Sequence, residues 1–109
     1  MNYPYIIQPD IPVMAVVQGN DLVVTLPTAP YDRKLIRLNI NGPAGAVFNL
    51  YKNSINTINR LDSTTRGDTN TADYSGGPII VQRNSVLIGQ WPNQASSTTP
   101  ASATFYFAS

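Results

Sequence analysis

Hydrophobic positions in this chain alternate with polar ones in short runs and hardly ever recur at helical spacing. Residues 33–40, RKLIRLNI, alternate with a period of two, the signature of a strand with one wet face. That spacing groups Ile36, Leu38 and Ile40 on one face and Leu35, Arg37 and Asn39 on the other. Residues 46–52, AVFNLYK, set Phe48 and Leu50 against Asn49 and Tyr51. Residues 102–109, SATFYFAS, set Phe105 and Phe107 against Thr104 and Tyr106. Two β-branched runs flank Gly19-Asn20 in residues 13–26, VMAVVQ-GN-DLVVTL, and predict a hairpin closed by Pro27 and Pro30. PIIVQ and SVLIGQW read as strands on either side of Arg83-Asn84, and residues 55–61, INTINRL, read as strand or coil. The sum is about seven or eight short strands with turn signals every 8–12 residues or so, which predicts an all-β, antiparallel β-sandwich, Ig-like or jelly-roll-like. A small barrel is the second architecture the pattern allows.

Between the strands the chain punctuates itself. Asn41-Gly42-Pro43-Ala44-Gly45 is a turn, and residues 92–101, PNQASSTTPA, form a Pro-bounded loop. Residues 63–77, STTRGDTNTADYSGG, carry almost no aliphatic side chain and read as one long connection of the kind that often has a function. Residues 1–12 hold Pro4, Pro9 and Pro12, which forbid a helix and favour an extended path. The division is therefore an extended N-terminal arm, 1–12, and one β-sandwich domain, 13–109. Tyr3, Tyr5, Ile6 and Ile7 give the arm apolar surface, to lie across its own domain or to reach a neighbouring subunit.

Composition sharpens this picture. The 109 residues suit one domain, and 42% hydrophobic residues are enough for one core. All six acids are Asp, there is no Glu, and Lys is limited to Lys34 and Lys52, so the residues that fill solvent-facing helix positions are missing. The absence of Cys removes disulfides and thiolate chemistry, and the absence of His removes the usual general base and metal ligand. With a net charge of +1 and only Arg33, Lys34 and Arg37 clustered, no nucleic-acid surface is expected, and that cluster reads as strand-edge solvation. No apolar run approaches the ~18 residues of a membrane helix, and the N-terminal residues lack a signal-peptide pattern.

Candidate chemistry is thin. The aspartates are scattered at turns, where short carboxylates usually bond their own backbone, so no catalytic residues and no cofactor are expected. Asp68, Asn70 and Asp73 sit at a spacing that suggests a calcium loop but lack its bidentate Glu and mid-loop Gly, so no metal is expected. Arg66-Gly67-Asp68 spells the integrin tripeptide, a short and unspecific signal. The interaction candidates in this half are Arg66, Asp68, Tyr74 and Trp91. Arg66 is expected to pair with Asp62, Asp68 or Asp73 and lock the connection, Gly67 to supply a positive φ, and Tyr74 to pin its end. Trp91 ends an apolar strand, which favours a core or subunit contact over a sugar platform.

The second half as a whole, LDSTTRGDTNTADYSGGPIIVQRNSVLIGQW followed by a small-residue loop and SATFYF, resembles small β-sandwich virion structural proteins of tailed bacteriophages. The resemblance covers about residues 45–109. It implies a non-enzymatic capsid decoration or minor head or tail protein, folded in the bacterial cytoplasm and incorporated in the virion. Its partners would be the major capsid protein or other virion proteins and copies of itself, by analogy as a trimer. The alternative is a carbohydrate- or receptor-binding module of a phage tail or fibre.

Overall fold

The computed structural model describes residues 7–109. Ten strands follow in order: β1 (Ile11–Met14), β2 (Val16–Gln18), β3 (Asp21–Thr25), β4 (Arg33–Asn41), β5 (Phe48–Lys52), β6 (Arg60–Thr64), β7 (Thr69–Asp73), β8 (Ile79–Val81), β9 (Leu87–Trp91) and β10 (Ser102–Ala108). A single 3₁₀ turn, Thr57–Asn59, precedes β6. The chain is an all-β sandwich of two antiparallel sheets. One has the order β1-β10-β4-β7, with β8 also pairing β4; the other has the order β2-β3-β9-β5-β6. The first sheet is called A below, the second B.

Two or three more strands appear than the seven or eight expected, and the excess has two local causes. The run Ile11–Gln18 breaks at Ala15, whose N–H donates to Ala101 O; β1 before it joins sheet A and β2 after it joins sheet B. About half of the polar connection at 63–77 is strand. β6 pairs with β5 in sheet B, β7 pairs with β4 in sheet A, and only residues 65–68 cross between them. Serine, threonine and asparagine suit edge strands with a wet face, so the shortage of aliphatic residues marked exposure and not a lack of pairing. At the other end of the chain, the Ile7 backbone bridges Ala108 and Ile11 and Pro12 pair with Phe105 and Thr104, so residues 7–12 run along β10. Tyr3, Tyr5 and Ile6 of the arm lie outside the described residues.

The hairpin signal translates directly. Gly19 takes φ +62° between β2 and β3, as the first central residue of a primed turn requires. The core lies between the sheets and is built around Trp91, Phe48, Phe105, Phe107, Leu35, Leu38, Ile40 and Leu50. Phe48 and Trp91 meet edge to face with centroids 4.9 Å apart, a favoured aromatic geometry.

One face assignment changes, and one outward face is buried. In β4 the inward residues are Leu35, then Leu38 and Ile40, while Ile36 is only half-buried. The cause is a β-bulge: Tyr106 pairs with Arg37 and Phe107 with Leu35, leaving Ile36 as the extra residue. One added residue flips the alternation, so Arg33 and Arg37 end on opposite faces. Arg33 is buried with its guanidinium 3.9 Å over the Phe107 ring, and burial lowers its pKa. Arg37 stays outside, so the basic cluster is not one solvated patch. In β5, Asn49 and Tyr51 do face away from the core, yet both are buried. They donate to the Gln90 side-chain oxygen, and Gln90 Nε2 donates to Asp21 at 2.8 Å, so the outer face of sheet B is closed by its own side chains.

Gly89 faces the core between Val24 of β3 and Phe48 of β5, its neighbours within sheet B. A methyl group there would stand 2.6 Å from Phe48 Cζ and 2.7 Å from Val24 Cγ2. Gly89→Ala is therefore expected to destabilise the fold by about 1–3 kcal/mol, as overpacked cores do, read as a lower urea midpoint.

Candidate functional site

The Arg66-Gly67-Asp68 tripeptide lies in the short crossing from β6 to β7, and its glycine is its buried member. Gly67 N–H donates to Ala46 O at 2.8 Å, and Gly67 O accepts from Trp91 Nε1 at 2.7 Å. Next to it, Gly42 N–H donates to Asp68 O. The crossing is thereby tied to the β4–β5 turn on one side and to the core tryptophan on the other. Glycine is needed here for close approach. Gly67 lacks the positive φ expected of it, but a Cβ on it would sit 2.8–2.9 Å from the Ala46 and Val47 carbonyl groups. A Cβ on Gly42 would fall 2.4 Å from Trp91 Nε1.

The side chains of the tripeptide contribute little to this. Arg66 Nε lies 3.9 Å from Asp68 Oδ1, with 66% and 40% of the two side chains exposed, and its guanidinium donates to Thr69 O at 3.2 Å. Among the described residues no ion pair joins Arg66 to Asp62 or Asp73. An exposed, single-contact pair of this kind contributes about 0–1 kcal/mol. The connection is held by its backbone and by Trp91, not by Arg66.

Tyr74 does pin the far end. Its hydroxyl donates to Asp62 Oδ2, joining the end of β7 in sheet A to β6 in sheet B, and its N–H donates to Ile36 O at the β4 bulge. Burial, and then the Asp62 acceptor, push its phenol well above the ordinary value of 10.0. The calcium-loop spacing does not converge. Asn70 lies on the partly buried face of β7 and Asp73 on its exposed face, and among the described residues no three acidic groups come together. Trp91 is fully buried, so the sugar-platform reading of this residue fails, and Tyr74 has its hydroxyl committed inside the fold.

Among the described residues, two exposed surfaces bear on binding. The first is the edge of sheet B at β2, where Val16 and Val17 are exposed beside Met14. The second is the outer face of sheet A. Here Thr71 Oγ1 donates to Asn39 Oδ1, Asn39 Nδ2 donates to the Tyr106 hydroxyl at 2.9 Å, and the Arg37 guanidinium stands 4.1 Å from the Tyr106 ring centroid. Asp73 lies across from Arg37 in the β4–β7 ladder. The Ser75 backbone N–H and hydroxyl hold its carboxyl below the ordinary range, with Arg37 adding to the effect. Alternation in SATFYFAS and RKLIRLNI already placed Tyr106, Arg37 and Asn39 on polar faces. What the sequence lacked was the ladder that makes them neighbours. Of the eight interaction candidates, Arg66, Asp68 and Tyr74 lie in or just after the β6–β7 segment, Trp91 lies beneath it, and Ile7 stands at the rim of the sheet A surface.

Two variants separate backbone from side chain in the crossing. Gly67→Ala should lower stability by about 1–3 kcal/mol, through overpacking and the strained Trp91 bond. Arg66→Ala should change it by less than about 0.5 kcal/mol, both read by urea unfolding. Tyr74 adds a pH signature. Its folded pKa is raised, so its contribution is complete below the unfolded value near 10.0 and fades as pH rises beyond it. Wild type should lose stability from about pH 10 upward, and Tyr74→Phe, weaker at neutral pH, should show a shallower alkaline decline in the same melts.

Comparison with protein-family models, curated proteins and solved structures finds no match to this chain.

Proposed function

We propose that this chain is a non-enzymatic structural protein of a bacteriophage virion, a capsid decoration or minor capsid protein that binds the shell and associates with copies of itself. The observation that carries the self-association is the free edge of sheet B. Met14, Val16 and Val17 are 65%, 63% and 61% exposed, on and beside an edge strand whose outer row of N–H and C=O groups has no ladder partner among the described residues. Soluble domains usually protect such an edge with charge, proline or a covering loop. Here three consecutive exposed positions, Val16, Val17 and Gln18, carry no charge. An edge of this kind is suited to burial against another chain. The phage context comes from the resemblance of residues 45–109 and from a chain that folds without cysteine.

The tail- or fibre-module alternative loses its first residues, since Trp91 is in the core and the Tyr74 hydroxyl is engaged with Asp62. The capsid decoration or minor capsid reading is therefore preferred.

The test is molar mass by light scattering behind size exclusion, for wild type and for the Val16→Lys/Val17→Lys variant. An oligomer in wild type and a folded monomer in the variant are expected, because a desolvated lysine pair at an edge opposes pairing. A wild-type monomer at all concentrations would remove the self-association on which the proposal rests.

A further inference from the structure

The outer face of sheet A is grooved. A depression of about 310 Å³ runs over β4, β7 and β10 and is lined by Ile7, Ile36, Arg37, Asp73, Ser75 and Tyr106. That volume is at the small end of the range for ligand sites, about 300–1,000 Å³. Three properties of its lining narrow the ligand. First, the charges cancel. Arg37 and Asp73 are cross-strand neighbours, so a phosphate or polyanion drawn to the guanidinium also meets a carboxylate that Ser75 keeps ionised. Second, the backbone of this face is spent in the β10–β4 and β4–β7 ladders, so a peptide strand has no edge to join. Recognition must run through side chains. Third, the side chains offer both halves of a hydroxyl's needs beside apolar surface. The Asp73 carboxylate accepts and the Arg37 fork donates. The Tyr106 hydroxyl is held by the Thr71–Asn39 chain and donates to no acceptor among the described residues. Arg37 stacks over one face of the Tyr106 ring, so Ile36, pushed outward by the β-bulge, and the part of the ring that lines the groove supply the apolar surface for C–H faces.

We infer that this groove binds a neutral, hydroxyl-rich ligand, one or two sugar rings of an oligosaccharide. The ring's apolar face lies against Tyr106 and Ile36, and vicinal hydroxyls bridge Arg37 and Asp73. The inference is independent of the virion role: the groove is on sheet A, and the proposed assembly edge is on sheet B.

The test titrates the full chain, ¹⁵N-labelled, with a panel of neutral oligosaccharides (gluco-, manno-, galacto- and N-acetylglucosamine-based) and follows amide shifts. Saturable shifts confined to β4, β7 and β10 around Arg37, Asp73 and Tyr106 are expected with at least one panel member. Arg37→Ala and Asp73→Asn, both at exposed positions, should weaken that binding about tenfold or more while leaving the protein folded at the assay temperature, as its ¹⁵N spectrum shows. Tyr106→Phe, which keeps the ring, should weaken it with the fold intact. No binding at millimolar sugar would overturn the inference, as would shifts elsewhere on the molecule. So would binding of sulfated glycans alone that disappears with salt, or binding that appears only after residues 1–6 are removed. The last result would make the chain's own N-terminal segment the occupant.

Discussion

The hydrogen bond from Trp91 Nε1 to Gly67 O is the constraint around which the rest of this sandwich is arranged. A buried indole N–H needs an acceptor, and leaving it unpaired costs about 1–3 kcal/mol. The acceptor comes from the β6–β7 crossing, which must therefore pass directly over the core. That demand removes side chains from Gly67 and Gly42, fixes where β6 ends and β7 begins, and draws the β4–β5 turn into the same knot through Gly42 and Ala46. Tyr74 and Asp62 repeat the tie one strand length away. The side of the sandwich with the most polar sequence is thus stitched by hydrogen bonds of both side chains and backbone, while the opposite side is joined by the chain as it passes from β1 to β2.

The fold class was legible because strand alternation and glycine turns act locally. The hairpin at Gly19, the paired aromatics of β10 and the inward Phe48 and Leu50 needed no knowledge of partners. What escaped the sequence depended on pairing. The β4 bulge is caused by the register against β10, and it reverses the expected face of Ile36 and separates Arg33 from Arg37. β6 and β7 escaped because their side chains are chosen for exposure, which resembles a loop's composition. The closed outer face of sheet B was hidden for the same reason: Asn49, Tyr51, Gln90 and Asp21 come from three strands and the core-distal ends of their alternations.

The surface reading changed more than the fold. A conspicuous tripeptide drew interest to Arg66 and Asp68, yet its structural weight rests on the glycine between them. The residues that share a groove, Arg37, Asp73 and Tyr106, belong to three strands and form no motif along the chain. Surface chemistry built across a sheet is invisible to linear spacing, because neighbours one ladder step apart lie 36 and 69 positions apart in sequence for Arg37 with Asp73 and with Tyr106.

The position of β10 carries a consequence for synthesis. It lies between β1 and β4, and both of its neighbours precede it in the chain. Until residues 102–108 leave the ribosome, β1 has no partner and sheet A has an open slot where Phe105 and Phe107 belong. Long-range pairings of this kind form late and leave strand edges exposed in the interval. From the synthesis of β4 until residues 102–108 emerge the nascent chain therefore presents an unfilled β-slot, and insertion of β10 is the event that completes sheet A.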